Sequence, residues 1–177
     1  FSQKSFSQSE CKPLDLVLVI DTSSTMKDPG SDGIPKLTAV KEALIGPQSE
    51  CTDTSTCVDG DNCCPPSCNS SNDSDCTGYI DQQLRSEDRV AVVHFATNAY
   101  TDTHLTDPKT LSKQKIKDLL YGGSAALGSG INQAWYEIQE NGSEGSIKAM
   151  IIITDGEPNS REEVINQATK AKYRDIR

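Results

Sequence analysis

Two apolar runs in this sequence lead into acids, and hydroxyl residues gather beside them. "LDLVLVIDTSSTM" passes from aliphatic residues to Asp21 and then to Ser23 and Thr25. "IKAMIIITDGEPN" runs in the same way to Asp155, and "YGGSAALGSGI" presents Ser124 directly after two glycines. Carboxylates and neutral hydroxyls are the hard oxygen donors that Mg2+ and Ca2+ take, with water filling the rest of about six positions. A site with only two carboxylates leaves the ion electrophilic enough to accept another from a partner. Nucleophilic catalysis is the competing chemistry, and a serine nucleophile wants a His or Lys base beside it. Of the two histidines, His94 is expected to face core or neighbouring backbone and His104 to be exposed or half-exposed, and no triad emerges. A single acid at a strand end reads most simply as a satisfied turn or cap. Three such loops in this order are far harder to reach by chance.

The elements that must position these residues follow from periodicity. Leu14–Ile20, Arg89–Phe95 and the run from Ile147 are short, β-branched and nearly continuous in apolar character, which suits strands buried on both faces. "AYTDTHL" alternates as a further strand. Pro35 opens a helical pattern carrying Leu37, Val40, Lys41, Leu44 and Ile45, and Gly46-Pro47 closes it. "DPKTLSKQKIKDLL" reads as one helix, as does "ALGSGINQAWYEIQE", with Asn141-Gly142 as its stop. Ser160 with Glu163 forms a capping box for a helix expected to run to the end of the chain. The order predicts an α/β fold: a doubly wound, mostly parallel open sheet with helices on both faces. Ligands of such sheets bind at the carboxyl ends of the strands, where Asp21 and Asp155 fall.

Composition narrows the function classes. The 177 residues suffice for one domain, or one domain with a small insert. A net charge of -9 argues against phosphate-backbone binding and is compatible with cation binding. No stretch approaches the ~20 apolar residues of a membrane span. The start at Phe1 reads as a processed or trimmed end. Residues 1–13 read as a loose arm, residues 14–45 and 79–177 as the parent domain, and residues 46–78 as an insert. Between Gly46 and Gly78 there is no Lys or Arg, and Val58 is the one large aliphatic residue, so the segment must be held by cross-links or ions.

Six of the seven cysteines (Cys51, Cys57, Cys63, Cys64, Cys68 and Cys76) lie in that insert, and Cys11 precedes the first strand. The pattern reads as a disulfide framework in an oxidising compartment. Zinc is the rival, but it favours paired C-x2-C knuckles or a nearby His, which the stretch lacks. The odd cysteine is Cys11 or an insert cysteine displaced by it. Asp59, Asp61, Asp73 and Asp75 make a candidate structural Ca2+ site, with solvated surface acids as the alternative. The spacing is not that of an EF-hand. Asn69, Asn72 and Asn141 open N-x-S/T sequons that fit a secreted glycoprotein.

"VLVIDTSSTM", "YGGSAALGSGI" and "IIITDGEPN", together with "RVAVVHFAT" and "THLTDPKTL", resemble the loops and strands of a von Willebrand factor A-type (integrin I-type) domain. That resemblance implies a metal-ion-dependent adhesion site. Ser23, Thr25 and Ser124 would touch the metal directly or nearly so, and Asp21 and Asp155 would hold it directly or through water. The ion implied is Mg2+ or Ca2+, with Mn2+ a further candidate. Thr25 stands where the family has Ser, and Ser124 where it has Thr. Both keep the hydroxyl, but the change at Ser124 removes a methyl that stiffens the rotamer. The family also continues with two more strands beyond the last helix, the next one starting near "YRDIR".

The implied function is extracellular, cation-dependent adhesion or protein-ligand binding in a cell-surface or filament-associated protein. Its partner would be a protein or a host or neighbouring cell-surface component presenting a carboxylate. One alternative is a structural subunit of a surface layer or pilus, bound to its neighbours, in which the metal only braces the loops. Another is an accessory domain of a metal-chelatase or channel, which the disulfide pattern disfavours. No enzyme activity is expected. If the disulfide reading holds, alkylating the unreduced, denatured protein labels at most one of its seven cysteines. Intact mass reads this directly, and seven adducts before reduction would overturn it.

Overall fold

The apolar run at Leu14 becomes an inner strand of a sheet because its neighbours on both sides are equally apolar. The structure, a computed structural model, describes residues 12–46, 80 and 83–177. Among these, β1 (Leu14–Asp21), β2 (Arg89–Phe95), β3 (Ala99–Thr106) and β4 (Ile147–Ile153) form a mixed open sheet in the order β3-β2-β1-β4. β1 pairs in parallel with β2 and β4, so that Leu18 faces Val92 on one side and Ile151 on the other. β3 returns antiparallel to β2. The helices are α1 (Lys36–Ile45), α2 (Lys113–Lys117), α3 (Leu127–Asn141) and α4 (Arg161–Lys172), with 3-10 turns at Ser24–Lys27 and Pro108–Thr110.

Both faces of the two central strands, β1 and β2, are covered, which explains the continuous rather than alternating pattern of β1. Leu16, Leu18 and Ile20 pack on one face with Met26, Leu37, Ile45, Val92 and Ile116. Val17 and Val19 pack on the other with Phe95, Leu127, Ile131, Ala134 and Ile138. Each of the Val, Leu, Ile, Phe and Met side chains taken from water contributes about 1.5–3 kcal/mol. Met26 ties the first loop into the core, since it is only 1% exposed within the 3-10 turn. Lys41, on the inner side of α1, donates to the carbonyls of Lys117 and Leu119 (2.6 Å each) and closes the C-terminal end of α2.

The strand start carries a buried acid that the pattern did not reveal. Asp15 is 1% exposed. Its Oδ1 accepts from Arg89 Nε (2.9 Å), and its Oδ2 accepts from the Ser143 N–H and Ser146 Oγ (2.6 Å each). Burial disfavours the charge, but the Arg89 bond and then the Ser146 and Ser143 bonds outweigh it and hold the Asp15 pKa below the usual carboxylate value.

Three elements differ from the sequence reading. Residues 107–120 are not one helix: a 3-10 turn capped by Asp107 precedes the short α2. Leu111, Ile116 and Leu119 still reach the core, whereas Leu120 is 82% exposed. β4 ends at Ile153, so Asp155 lies in the following loop rather than on the strand. The last helix ends at Lys172, and Asp175 takes a positive φ of 55°, a conformation Asp tolerates better than most residues. Ile176 then pairs in parallel with Lys148, where the resemblance places the start of a further strand.

α3 lies close against the sheet at Gly130. A Cβ there would sit 2.8 Å from Phe95 Cδ1 and 3.1 Å from Val19 Cγ1. Both are core atoms with little room to move. Gly130→Ala is therefore expected to destabilise the domain by about 1–2 kcal/mol, despite the ~1 kcal/mol by which Ala favours a helix. Thermal and urea denaturation check this, and a stabilised variant would mean that α3 is free to shift outward.

Candidate metal centre

β1 delivers Asp21 to the carboxyl edge of the sheet with no exposure to water. Its Oδ1 accepts from the Ser23 N–H (2.7 Å) and its Oδ2 from Thr154 Oγ1 (2.7 Å). The first loop is fixed beside it. The N–H and Oγ1 of Thr22 both donate to the Phe95 carbonyl (2.8 and 3.0 Å), and the 3-10 turn then brings Ser23 Oγ to 3.2 Å from Thr25 Oγ1. Thr25 Oγ1 lies 2.9 Å from Asp155 Oδ1, to which it donates. Asp155 Oδ2 accepts from Lys36 Nζ at 2.6 Å. Burial works against the Asp155 charge, but the bonds from Lys36 and then Thr25 outweigh it and hold its pKa below the usual carboxylate value.

The second loop meets the first through its backbone. The N–H and Oγ of Ser24 donate to the Gly123 carbonyl (3.0 and 2.9 Å), and the Gly122 N–H donates to the Thr22 carbonyl (2.7 Å). Gly123 takes a φ of 77°, and a Cβ there would stand 2.5 Å from Thr97 Oγ1, so this turn requires glycine. Ser124 sits on the surface just past it and three residues before α3, not at the helix start itself. Its Oγ accepts from Asn159 Nδ2 (3.1 Å), while the Asn159 N–H donates to the Ala125 carbonyl (3.0 Å). Among the described residues Ser124 therefore joins the set through the third loop, without a direct bond to Ser23 or Thr25.

Asp21, Ser23, Thr25 and Asp155 thus form one hydrogen-bonded group, and Ser124 borders it on the adjoining loop. Sequence reasoning missed Thr154, Asn159, Thr97 and Lys36. Thr154 and Asn159 could have been flagged only as hydroxyl or amide residues within the third loop, and Thr97 only as a hydroxyl in the turn between β2 and β3. Lys36 reads in sequence as an ordinary first residue of a helix. The donor set suits a hard divalent cation. Two carboxylates and the Ser23 and Thr25 hydroxyls are joined by hydrogen bonds, with Ser124 on the adjoining loop, and among the described residues no Lys or Arg forms an ion pair with the buried Asp21. Among the described residues no three His, Cys, Asp or Glu side chains gather as a metal-holding group, so any ion here would rest on hydroxyls beside the two carboxylates.

The histidines serve elsewhere. His94 Nδ1 lies 2.7 Å from Asp102 Oδ2, so it has a carboxylate partner on β3 instead of facing core or backbone. His104 is exposed, as expected, and its Nδ1 lies 2.7 Å from the buried Glu137. Asn141 lies exposed at the end of α3. The seven cysteines, Asp59, Asp61, Asp73, Asp75, Asn69 and Asn72 lie outside the described residues, as do nearly all of the arm and the insert.

Comparison with known proteins places the fold. The von Willebrand factor type A domain family matches residues 78–177, more than half of the chain, and the chain belongs to that family. No curated protein matches it. The structure is similar to BatB from Bacteroides thetaiotaomicron (20% identity, TM-score 0.62), covering 93% of this chain and 63% of that one. It is similar to proximal thread matrix protein 1 of the mussel byssus, solved with a zinc-occupied MIDAS motif (18% identity, TM-score 0.58, 94% and 34% covered). It also resembles the von Willebrand factor domain of the type V pili tip protein Mfa5 from Porphyromonas gingivalis (17% identity, TM-score 0.51, 84% and 39% covered). The chain thus spans less than two thirds of the length of each of these proteins.

The Thr154 hydroxyl is the sole side-chain donor to Asp21 among the described residues. Thr154→Val keeps the shape and strips that donor from a buried carboxylate oxygen, so a loss of about 1–3 kcal/mol is expected in metal-free buffer. Thr154→Ser should restore most of it. Chemical denaturation distinguishes the two, and an undiminished Thr154→Val protein would show that Asp21 does not depend on this bond.

Proposed function

We propose that this von Willebrand factor type A domain is an extracellular protein-binding module that captures a partner's carboxylate through a divalent cation at the Asp21 edge. The observation that carries this reading is a buried, doubly hydrogen-bonded Asp21 that has no cationic partner among the described residues and is followed by the paired hydroxyls of Ser23 and Thr25. At the other end of the same strand, Asp15 has its cation in Arg89. A buried carboxylate is costly unless a positive charge or several hydrogen bonds compensate it, and at Asp21 a bound ion would complete that compensation.

The residues divide the work. Ser23, Thr25 and Ser124 supply neutral oxygens. Asp155 and Asp21 supply charge, and Thr154 and the Ser23 N–H hold Asp21 in place. When bound, Mg2+, Mn2+ or Ca2+ supplies Lewis-acid attraction for an incoming carboxylate oxygen. Thr25 and Ser124, both on the surface, leave the outer side of the site open to such a partner. Contact at one carboxylate buries little area, so the flanking loops must supply most of the affinity. Leu120 and Tyr121, both exposed just before the Gly-Gly turn, offer apolar surface for this.

The similar folds of a type V pilus tip protein and a byssus matrix protein favour adhesion or assembly over catalysis. A second reading, in which the ion only braces the loops of a filament or surface-layer subunit, rests on the same matches. The candidate Ca2+ site in the insert, the disulfides and the sequon sugars belong to the extracellular setting proposed here. The test is calorimetric titration with Mg2+ and Mn2+ alongside thermal melts in EDTA. The expected outcome is a saturable rise in melting temperature, with affinity at least about tenfold weaker in the Ser23→Ala, Thr25→Ala double variant. Equal binding by that variant, or no binding by the native chain, would overturn the metal reading.

A further inference from the structure

Among the described residues, Lys36 is the cationic side chain that pairs with a carboxylate of the candidate site, and its chemistry opposes a metal. It is the first residue of α1, and its ammonium lies 2.6 Å from Asp155 Oδ2. A cation in the first turn of a helix is disfavoured by the helix dipole, so this position needs a compensating acid. Asp155 supplies it, and the charge of Asp28 lies close enough to add to it. The backbone beneath is fixed: the Lys36 N–H donates to the Asp28 carbonyl (3.1 Å), and Pro29 and Pro35 bridge just before it. The side chain above it is partly in water, for Lys36 is 36% exposed while Asp155 is 9% exposed. A long, partly solvated side chain on a rigid base can swing away without disturbing the loop.

Resting on the cation-site reading above, we propose that Lys36 is an internal competitor for the divalent ion. Its ammonium holds Asp155 in the metal-free protein and must leave that carboxylate when the ion binds, which raises the divalent concentration at which the site fills. Two consequences follow. The metal-free loops stay ordered, because Lys36 and Thr25 together hold Asp155 in place. Binding also exchanges one cation for another at Asp155, so affinity depends on the strength of the Lys36 pair. Added KCl screens that exposed pair, while the buried Asp21 contacts are screened far less.

Titration calorimetry with Mn2+ on the native chain, Lys36→Met and Lys36→Arg tests this, with circular dichroism and melting in EDTA as the fold control. Lys36→Met is expected to bind Mn2+ about three- to tenfold more tightly, the range set by a partly exposed ion pair. Its metal-free melting temperature should fall slightly. Lys36→Arg keeps the charge and should stay within about twofold of the native affinity. Binding by Lys36→Met alone would also support the proposal, as complete blockade by Lys36. Unchanged or weaker Mn2+ binding by a folded Lys36→Met would overturn it while leaving the metal site intact. Tighter binding by Lys36→Arg, as tight as by Lys36→Met, would show that the charge does not matter and would overturn it as well. If none of the three proteins binds Mn2+, the cation-site reading itself fails and this inference with it.

Discussion

The carboxylate of Asp21 lies out of water at the last position of β1, and the surrounding loops are arranged to hold that charge. The Ser23 N–H comes from the loop that follows it, and the Thr154 hydroxyl from the loop after β4. The first loop is stitched in turn to Phe95 at the end of β2 and to the Gly122-Gly123 turn before α3. Four chain segments thus meet at one buried acid. The parallel pairing of β1 with β2 and β4 makes this meeting possible, since it sets three strand ends side by side.

The contrast along β1 gives that arrangement its meaning. Asp15 and Asp21 are equally removed from water on one strand. Asp15 is neutralised by Arg89 and by donors from the turn after α3, which makes it a closed structural pin between strand and turn. Asp21 receives two neutral donors, and the Lys36 ammonium goes to Asp155. Among the described residues Asp21 thus has no cationic partner, and the Ser23 and Thr25 hydroxyls lie in the loop that follows it. Structural acids in a core are closed off by a side-chain cation or converted to neutral partners. An acid left partly uncompensated beside Ser23, Thr25 and Ser124 fits a place where charge arrives from outside.

Much of the scaffold was legible because burial on both faces writes continuous apolar runs. β1, β2 and the inward residues Leu127, Ile131, Ala134 and Ile138 of α3 followed from that alone. β4 carries the same apolar run and is a strand, but it is not buried on both faces: Ile151 is 49% and Ile152 41% exposed. The Ser160 cap on Glu163 followed from local chemistry. The segment from Asp107 to Leu120 misled, because Leu111, Ile116 and Leu119 keep a helix-like spacing while reaching the core from a 3-10 turn and a single short helix. The site was legible as a set of residue types, less so as a geometry. Asp155 read as a strand end and proved to be a loop residue two positions beyond it. Thr154, Asn159 and Lys36 were invisible because their roles depend on partners more than 100 residues away for Thr154 and Lys36, and on a neighbouring loop for Asn159. Sequence periodicity carries no information about such pairings.

The central claim is that the oxygens gathered around Asp21 form a divalent-cation site whose metal-free state is held by Lys36. An anomalous difference map from crystals grown with Mn2+ tests both halves in one measurement. The expected result is a single strong peak bordered by Ser23, Thr25, Ser124 and Asp155, with the Lys36 ammonium no longer on Asp155. A map with no peak at this edge, or a peak there with Lys36 still bonded to Asp155, would contradict the account.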